Sequence, residues 1–280
     1  MAKLIDYQCK YTSYSGMSKD AAAAKGLTLP EAYFHAEQIA ALADCDTVFP
    51  FDPVLEAEAM GASVKFDDSP LGPRKDKDIV TEIDELAELP VMNINSGRLA
   101  ETLKAVKQIN DAGGKASIEL HGPVTIINGV TDLMKVLIGW RKKGDVMDRF
   151  FSTVTEGLTD YALAARQAGC KIIYYTDSPG SLNILGPKYA RQITEKFTVP
   201  FLKNLDDKLP KDCVIHLCPK TSFMLAGCGN AQWKRLELEE AVPYSDACIA
   251  ACGKVRILGQ RCRKLPDTRT KHINYLELTE

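Results

Sequence analysis

The residues richest in chemistry are His216-Leu217-Cys218, which close the apolar run Cys213-Val214-Ile215, and Cys262, which follows Ile257-Leu258-Gly259. In an extended strand the side chains at i and i+2 leave the same face, so a strand ending in His-x-Cys presents an imidazole and a thiol together. A later strand ending near Cys262 brings a second thiolate to the same rim. One imidazole and two thiolates leave a tetrahedral zinc ion one ligand short, which is how catalytic zinc is usually held. Such a zinc can bind and activate an incoming thiol. The plain alternative is that all three are ordinary loop residues at strand ends. The spacing from Cys218 to Cys262 is not that of a zinc finger.

Other polar residues also follow apolar runs. Asp52 follows Val48-Phe49-Pro50-Phe51, His121 follows Ile118-Glu119-Leu120, and Asp177 follows Ile172–Thr176. Asp52 and Asp177 have two readings: caps of the next turn, or catalytic carboxylates lining a pocket. The tight polar run Asp177-Ser178-Pro179-Gly180-Ser181 is suited to presenting Ser178, Ser181 and backbone N–H groups to an anion or cofactor. His121, beside Gly122-Pro123, is a packed loop histidine or a cofactor contact. Arg261, Arg263 and Lys264 flank Cys262, where positive charge favours thiolate, or else they form a solvated basic loop. Cys228, in Ala226-Gly227-Cys228-Gly229-Asn230, is a candidate fourth sulfur. Glu237, Glu239 and Glu240 are candidates for a displaceable carboxylate.

Positioning these residues requires strands that alternate with helices. Strands are expected at Lys3–Gln8, Thr47–Phe51, Val91–Ile94, Ala116–Leu120, Lys171–Thr176, Cys213–Leu217 and Val255–Leu258, and helices at Leu29–Ala43, Gly97–Ala112, Asp145–Ala168 and Pro187–Leu209. Ser69–Lys77 reads as a surface loop. Alternation of this kind implies a parallel sheet covered by helices, and its repeat favours a (β/α)8 TIM barrel as a single domain over residues 1–280. In that fold the chemistry sits where strands end.

The chain has 35 basic and 37 acidic residues, a net charge of −2. That argues against nucleic acid as a partner, because phosphate binding needs a basic surface. No apolar run reaches the length of a membrane span, and no signal-peptide segment opens the chain, so a cytoplasmic protein is expected. Nine cysteines in a reducing compartment point to metal binding or burial rather than disulfides. Nucleotide-binding glycine motifs are absent from the sequence.

Several segments, in order, resemble the uroporphyrinogen decarboxylase superfamily, and within it the methylcobamide:coenzyme M methyltransferases. Val48–Gly61 (Val-Phe-Pro-Phe-Asp-Pro-Val-Leu-Glu-Ala-Glu-Ala-Met-Gly) is similar to the family's PFD…EAEA.G segment, and His121–Gly129 to its GP.T segment. Lys171–Pro187, His216-x-Cys218 and Gly259-Gln260-Arg261-Cys262 resemble its aspartate-ended strand, zinc motif and last cysteine strand. The resemblance implies a TIM barrel with zinc held by His216, Cys218 and Cys262. It also implies methyl transfer from a methylcobamide such as methylcobalamin, carried by a separate corrinoid protein, to a small thiol or other acceptor. The alternatives are a decarboxylase-like enzyme acting on a tetrapyrrole and a non-catalytic binding barrel with structural zinc. The stretch between Cys218 and Cys262 is shorter than the family's, so a reduced seventh βα unit is expected.

Overall fold

Short buried strands that run into turns and helices position Asp52, His121, Asp177, His216 and Cys218. The computed structural model describes residues 4, 7, 19–24, 26–28, 31–43, 48, 49, 52–67, 72–263 and 268–279. The strand expected at Lys3–Gln8 lies almost wholly outside them. The chain divides into two compact units, residues 13–170, and residues 171–280 together with 1–12.

Unit 13–170 runs α1 (Lys19–Ala24), a 3-10 turn (Glu31–Tyr33), α2 (Ala36–Leu42), β1 (Val48–Phe49), α3 (Leu55–Ala59), β2 (Ser63–Lys65) and β3 (Arg74–Lys77). It continues with a 3-10 helix (Ile83–Glu88), α4 (Gly97–Asp111), β4 (Ser117–His121), α5 (Pro123–Val130), α6 (Leu133–Trp140) and α7 (Gly144–Gln167). β1 and β4 pair in parallel, Phe49 opposite Ile118, which brings Asp52 and His121 to the same end of the pair. Three sequence expectations change here. The helix expected over Leu29–Ala43 is interrupted, because His35 adopts an extended conformation ahead of α2. Val91–Ile94 is not a strand: Asn93 Oδ1 accepts the Asn95 N–H at 3.0 Å, a local turn that competes with extended chain. Ser69–Lys77, expected as loop, ends in β3, which pairs antiparallel with β2. Arg74 braces that hairpin by forking onto Asp67 at 2.8 and 2.6 Å.

Unit 171–280 runs β5 (Ile172–Thr176), a 3-10 turn (Ser178–Gly180), α8 (Leu182–Ile193), a π-turn (Thr194–Thr198), α9 (Val199–Lys208), β6 (Val214–Leu217) and α10 (Pro219–Cys228). It closes with β7 (Ala231–Pro243), α11 (Tyr244–Ala251), β8 (Ile257–Leu258) and β9 (Arg269–Leu278). Its strands lie in the order β5-β6-β8-β9-β7. β5, β6 and β8 are parallel, and β9 and then β7 join antiparallel. All four residues of β6 are buried, as expected of a parallel strand covered on both faces. α11 packs over the face carrying Ile172, Val214 and Leu258, while Tyr175, on the opposite face of β5, meets Phe201 of α9 at 5.6 Å.

Where a shortened seventh βα unit is expected, between Cys218 and Cys262, no parallel strand enters between β6 and β8, and β7 joins the sheet antiparallel beyond β9. That stretch holds α10, the long strand β7 and α11. Leu236-Glu237-Leu238-Glu239 alternates with period two, a strand pattern, and Leu236 and Leu238 pack on the α11 cluster.

Gly259 governs how closely the ends of β6 and β8 approach. Its φ is +142°, and a Cβ there would stand 2.7 Å from the Leu217 carbonyl oxygen. Gly259→Ala is therefore expected to cost about 1–3 kcal/mol of stability. Urea unfolding checks this, and an unchanged midpoint would show that the strand ends can part freely.

Candidate functional site

His216 occupies the last turnless stretch of β6, opposite Tyr174 of β5 and Leu258 of β8. It is 2% exposed. Its ring lies 4.9 Å from that of Tyr174 and edge-on to that of Tyr244, the first residue of α11. Nε2 is 3.1 Å from the Tyr244 hydroxyl. Arg261 lies over the Tyr244 ring at 4.8 Å and Arg263 over the Tyr174 ring at 5.4 Å. Two aromatic rings and two guanidinium groups therefore frame the end of β6. Burial pushes the Tyr244 phenol well above its ordinary range, with the neighbouring Cys248 thiol adding to the effect.

Cys218 is the N-cap of α10, its N–H bonded to the Tyr175 carbonyl at 2.8 Å. Ser222, fully buried, donates its hydroxyl to the Gly259 carbonyl at 2.6 Å and so ties α10 to the end of β8. Cys262 follows that end and, like Cys218, is half-buried. His216, Cys218 and Cys262 thus lie at the carboxyl ends of two hydrogen-bonded parallel strands. One imidazole and two thiols are donor types that fit zinc. Among the described residues no three His, Cys, Asp or Glu side chains stand close enough together to hold an ion, so the fit is one of donor chemistry and strand register.

Cys228 is excluded as a fourth ligand alongside Cys218. It ends the helix that Cys218 caps, and ten residues of α-helix separate the two by about 15 Å. Its Sγ faces Met224 Sδ at 3.8 Å, and burial pushes the thiol up. Glu237, Glu239 and Glu240 lie on β7, and Glu237 is paired with Arg235 at 2.6 Å.

Asp177 ends β5 and is buried. With Ser181, Thr194, Thr198, Lys220 and Thr221, and the apolar Ile193 and Met224, it lines a small cavity of about 20 Å³ beside the start of α10. The N–H groups of Gly180 and Ser181 donate within their own turn, to Asp177 and Ser178 carbonyls. Those two donors are therefore turned away from any anion. Ser181 instead donates its hydroxyl to Asn183 at 2.6 Å, and the Ser178 hydroxyl lies 3.4 Å from that of Thr176.

In unit 13–170, Asp52 and His121 belong to a buried charge network. Asp52, 0% exposed, accepts the Val54 N–H at 3.1 Å and pairs with Arg98 at 2.8 Å. Arg98 also binds Glu58 through Nε at 2.7 Å and lies 4.8 Å from the Phe66 ring. Glu56, also fully buried, accepts the His121 N–H at 2.9 Å and faces its Nδ1 at 3.0 Å. Burial alone would push the His121 imidazole down. The Glu56 carboxylate overrides it by charge and hydrogen bond, with Glu119 and Asp52 adding, and raises it to about 9.

Sequence reasoning missed Glu56, Arg98, Tyr174 and Tyr244. Glu56 was signalled by its place one helical turn after Asp52, and Arg98 by its place in the first turn of an expected helix. Tyr174 and Tyr244 carried no signal, since their meeting with His216 depends on strand register and on the face that α11 covers.

The chain matches the family model of uroporphyrinogen decarboxylase (URO-D) over residues 15–261. It is 28% identical over 241 residues to a methylcobamide:CoM methyltransferase, MtbA, of Methanosarcina mazei, covering 80% of this chain and 69% of that one. It is 26% identical over 216 residues to the MtbA of Methanosarcina acetivorans, covering 71% of this chain and 61% of the relative. A solved methyltransferase from Methanosarcina mazei superposes with a TM-score of 0.62 at 23% identity, over 78% of this chain and 68% of that one. Together the family and this likeness give the fold class, a TIM-barrel-like α/β fold. Among the described residues no helix is long and apolar enough to cross a membrane.

Proposed function

Because the chain belongs to the uroporphyrinogen decarboxylase (URO-D) family, we propose that it is a zinc-dependent methyltransferase. In this reading it moves a methyl group from a methylcobamide, carried by a separate corrinoid protein, to a small thiol or similar acceptor in the cytoplasm. One observation carries the proposal: His216 and Cys218 end β6 and Cys262 follows β8, its hydrogen-bonded parallel neighbour. The names of the Methanosarcina relatives support the reaction class.

Zinc, when bound by His216, Cys218 and Cys262, would supply the Lewis acidity that keeps an acceptor thiol as thiolate near neutral pH. The rest is positioning and charge. The thiol loses its proton, its sulfur attacks the methyl carbon, and the carbon–cobalt bond breaks with its electron pair left on cobalt as cobalt(I). The corrinoid supplies the difficult bond cleavage as substrate. Tyr174 and Tyr244 hold the His216 ring in place. Arg261 and Arg263 place positive charge at the segment that bears Cys262, which favours thiolate there. Asp177, Lys220 and Thr221 are polar groups in the lining of the small neighbouring cavity.

The test is the zinc content of protein purified without chelator, for the wild type and for Cys262→Ser. One zinc per chain is expected in the wild type and a large loss in the variant, with methylation of a small thiol by methylcobalamin following the metal. A wild type without zinc, or zinc indifferent to Cys262, refutes the ligand set.

A further inference from the structure

β7 is the outermost strand of its unit, and among the described residues no strand lies on its other side. It runs for 13 residues. Ala231–Glu237 pair with β9, but Leu238–Ala241 have no residue opposite them there, and the register resumes at Val242. An open edge of this length offers a row of backbone N–H and C=O groups to a further strand.

The side chains along this edge alternate as a strand requires. Leu236 and Leu238 pack on the α11 cluster, while Lys234, Arg235, Glu237, Glu239 and Glu240 are exposed. Arg235 pairs with Glu237 at 2.6 Å and Lys234 with Glu277 at 3.7 Å. All four side chains remain about half exposed or more, and ion pairs in that setting hold their partners loosely. Edges are commonly guarded by charge and by bulges, since a run of one sign repels a copy of itself. In Lys234-Arg235-Leu236-Glu237-Leu238-Glu239-Glu240 the signs are instead segregated, bases at one end and acids at the other. Turned end for end about Glu237, this run is its own charge complement.

We propose that the edge of β7 is an interface between two copies of this chain, paired antiparallel about a two-fold axis at Glu237. Residues directly opposite in such a pair share a face. Lys234 then faces Glu240 of the second copy, Arg235 faces Glu239, and Leu236 faces Leu238. The symmetry forms each of these contacts twice. Glu237 meets its own copy, a repulsion offset by Arg235 beside it on the same strand. A two-fold axis normal to the sheet leaves only centres that keep each face together. Centring on Leu236 sets Lys234 against Leu238, and centring on Leu238 sets Glu237 against Glu239. Glu237 is therefore the centre that gives both bases an acid.

Sedimentation velocity of the full chain tests this. The wild type is expected to be a dimer. Arg235→Glu and Glu239→Arg are each expected to weaken it by about tenfold or more, because each sets like charges opposite at two places. Mixed in equal amounts, the two variants restore both opposite pairs and are expected to associate as tightly as the wild type. Lys234→Glu and Glu240→Lys give the same test at the outer position. Unchanged near-ultraviolet circular dichroism separates a lost contact from a lost fold. A wild type that stays monomeric at its highest soluble concentration, a dimer indifferent to these substitutions, or mixtures that fail to associate overturns the proposal.

Discussion

Arg98→Met is expected to destabilise the protein by about 3–5 kcal/mol, the cost typical of removing one partner of a buried ion pair. Asp52 is 0% exposed and its carboxylate is paired with the guanidinium at 2.8 Å. Methionine fills much of the arginine's volume and can still lie beside Phe66, so lost packing is a small part of the effect. What remains is a buried carboxylate at the end of β1 with its counter-charge gone, and Glu58 losing the same partner. Burial works against the guanidinium's charge, and the two carboxylates more than offset it, holding Arg98 above its ordinary range. The double variant Asp52→Asn with Arg98→Met removes both charges and is expected to regain a substantial part of the loss. Urea unfolding of the two single variants and the double gives the coupling directly. An Arg98→Met protein within 1 kcal/mol (about the limit for an exposed pair) would mean that water reaches Asp52.

Stability is expected to decline between pH 6.5 and 9 because of His121. The imidazole is raised to about 9 in the folded protein, against about 6.5 for an unfolded chain. A group raised on folding stabilises fully below its unfolded value and loses that contribution as pH climbs through its folded value. The difference converts to about 3 kcal/mol. It is present at pH 6, shrinks across the window and is gone above it. Glu56→Gln removes the carboxylate that keeps the imidazole protonated. The stability gap between wild type and Glu56→Gln should therefore be largest near pH 6 and narrow steadily towards pH 9. A gap independent of pH over that interval would show that His121 is neutral when folded.

These two effects bear on function through position. Asp52 follows β1 and His121 ends its parallel partner β4, where a TIM-barrel-like fold places its chemistry. They are paired with Arg98 and Glu56, contacts that tie the ends of β1 and β4 to α4 and α3.

The amino-acid sequence by itself determined the strand ends. Short apolar runs such as Cys213–Leu217, alternating with helical patterns, fit the buried strands of a parallel sheet, and the polar residue that ends each run then lies at its rim. His216, Cys218, Asp177, Asp52 and His121 could be placed there without coordinates. The long amphipathic helix α7 was legible from its 3.6-residue period, and β7 was present in the Leu-Glu alternation at 236–239. Only the tertiary structure decided what each rim residue meets. Asp52 finds Arg98 and His121 finds Glu56 because the parallel pairing of β1 and β4 brings together segments far apart in the chain. His216 finds Tyr244 because α11 lies across that face of β6, a choice made by the summed burial of Val214, Leu258, Ala247 and Ala251. Local patterns state which face of a strand is apolar, but not which helix will cover it, since that energy exists only once distant segments are packed together.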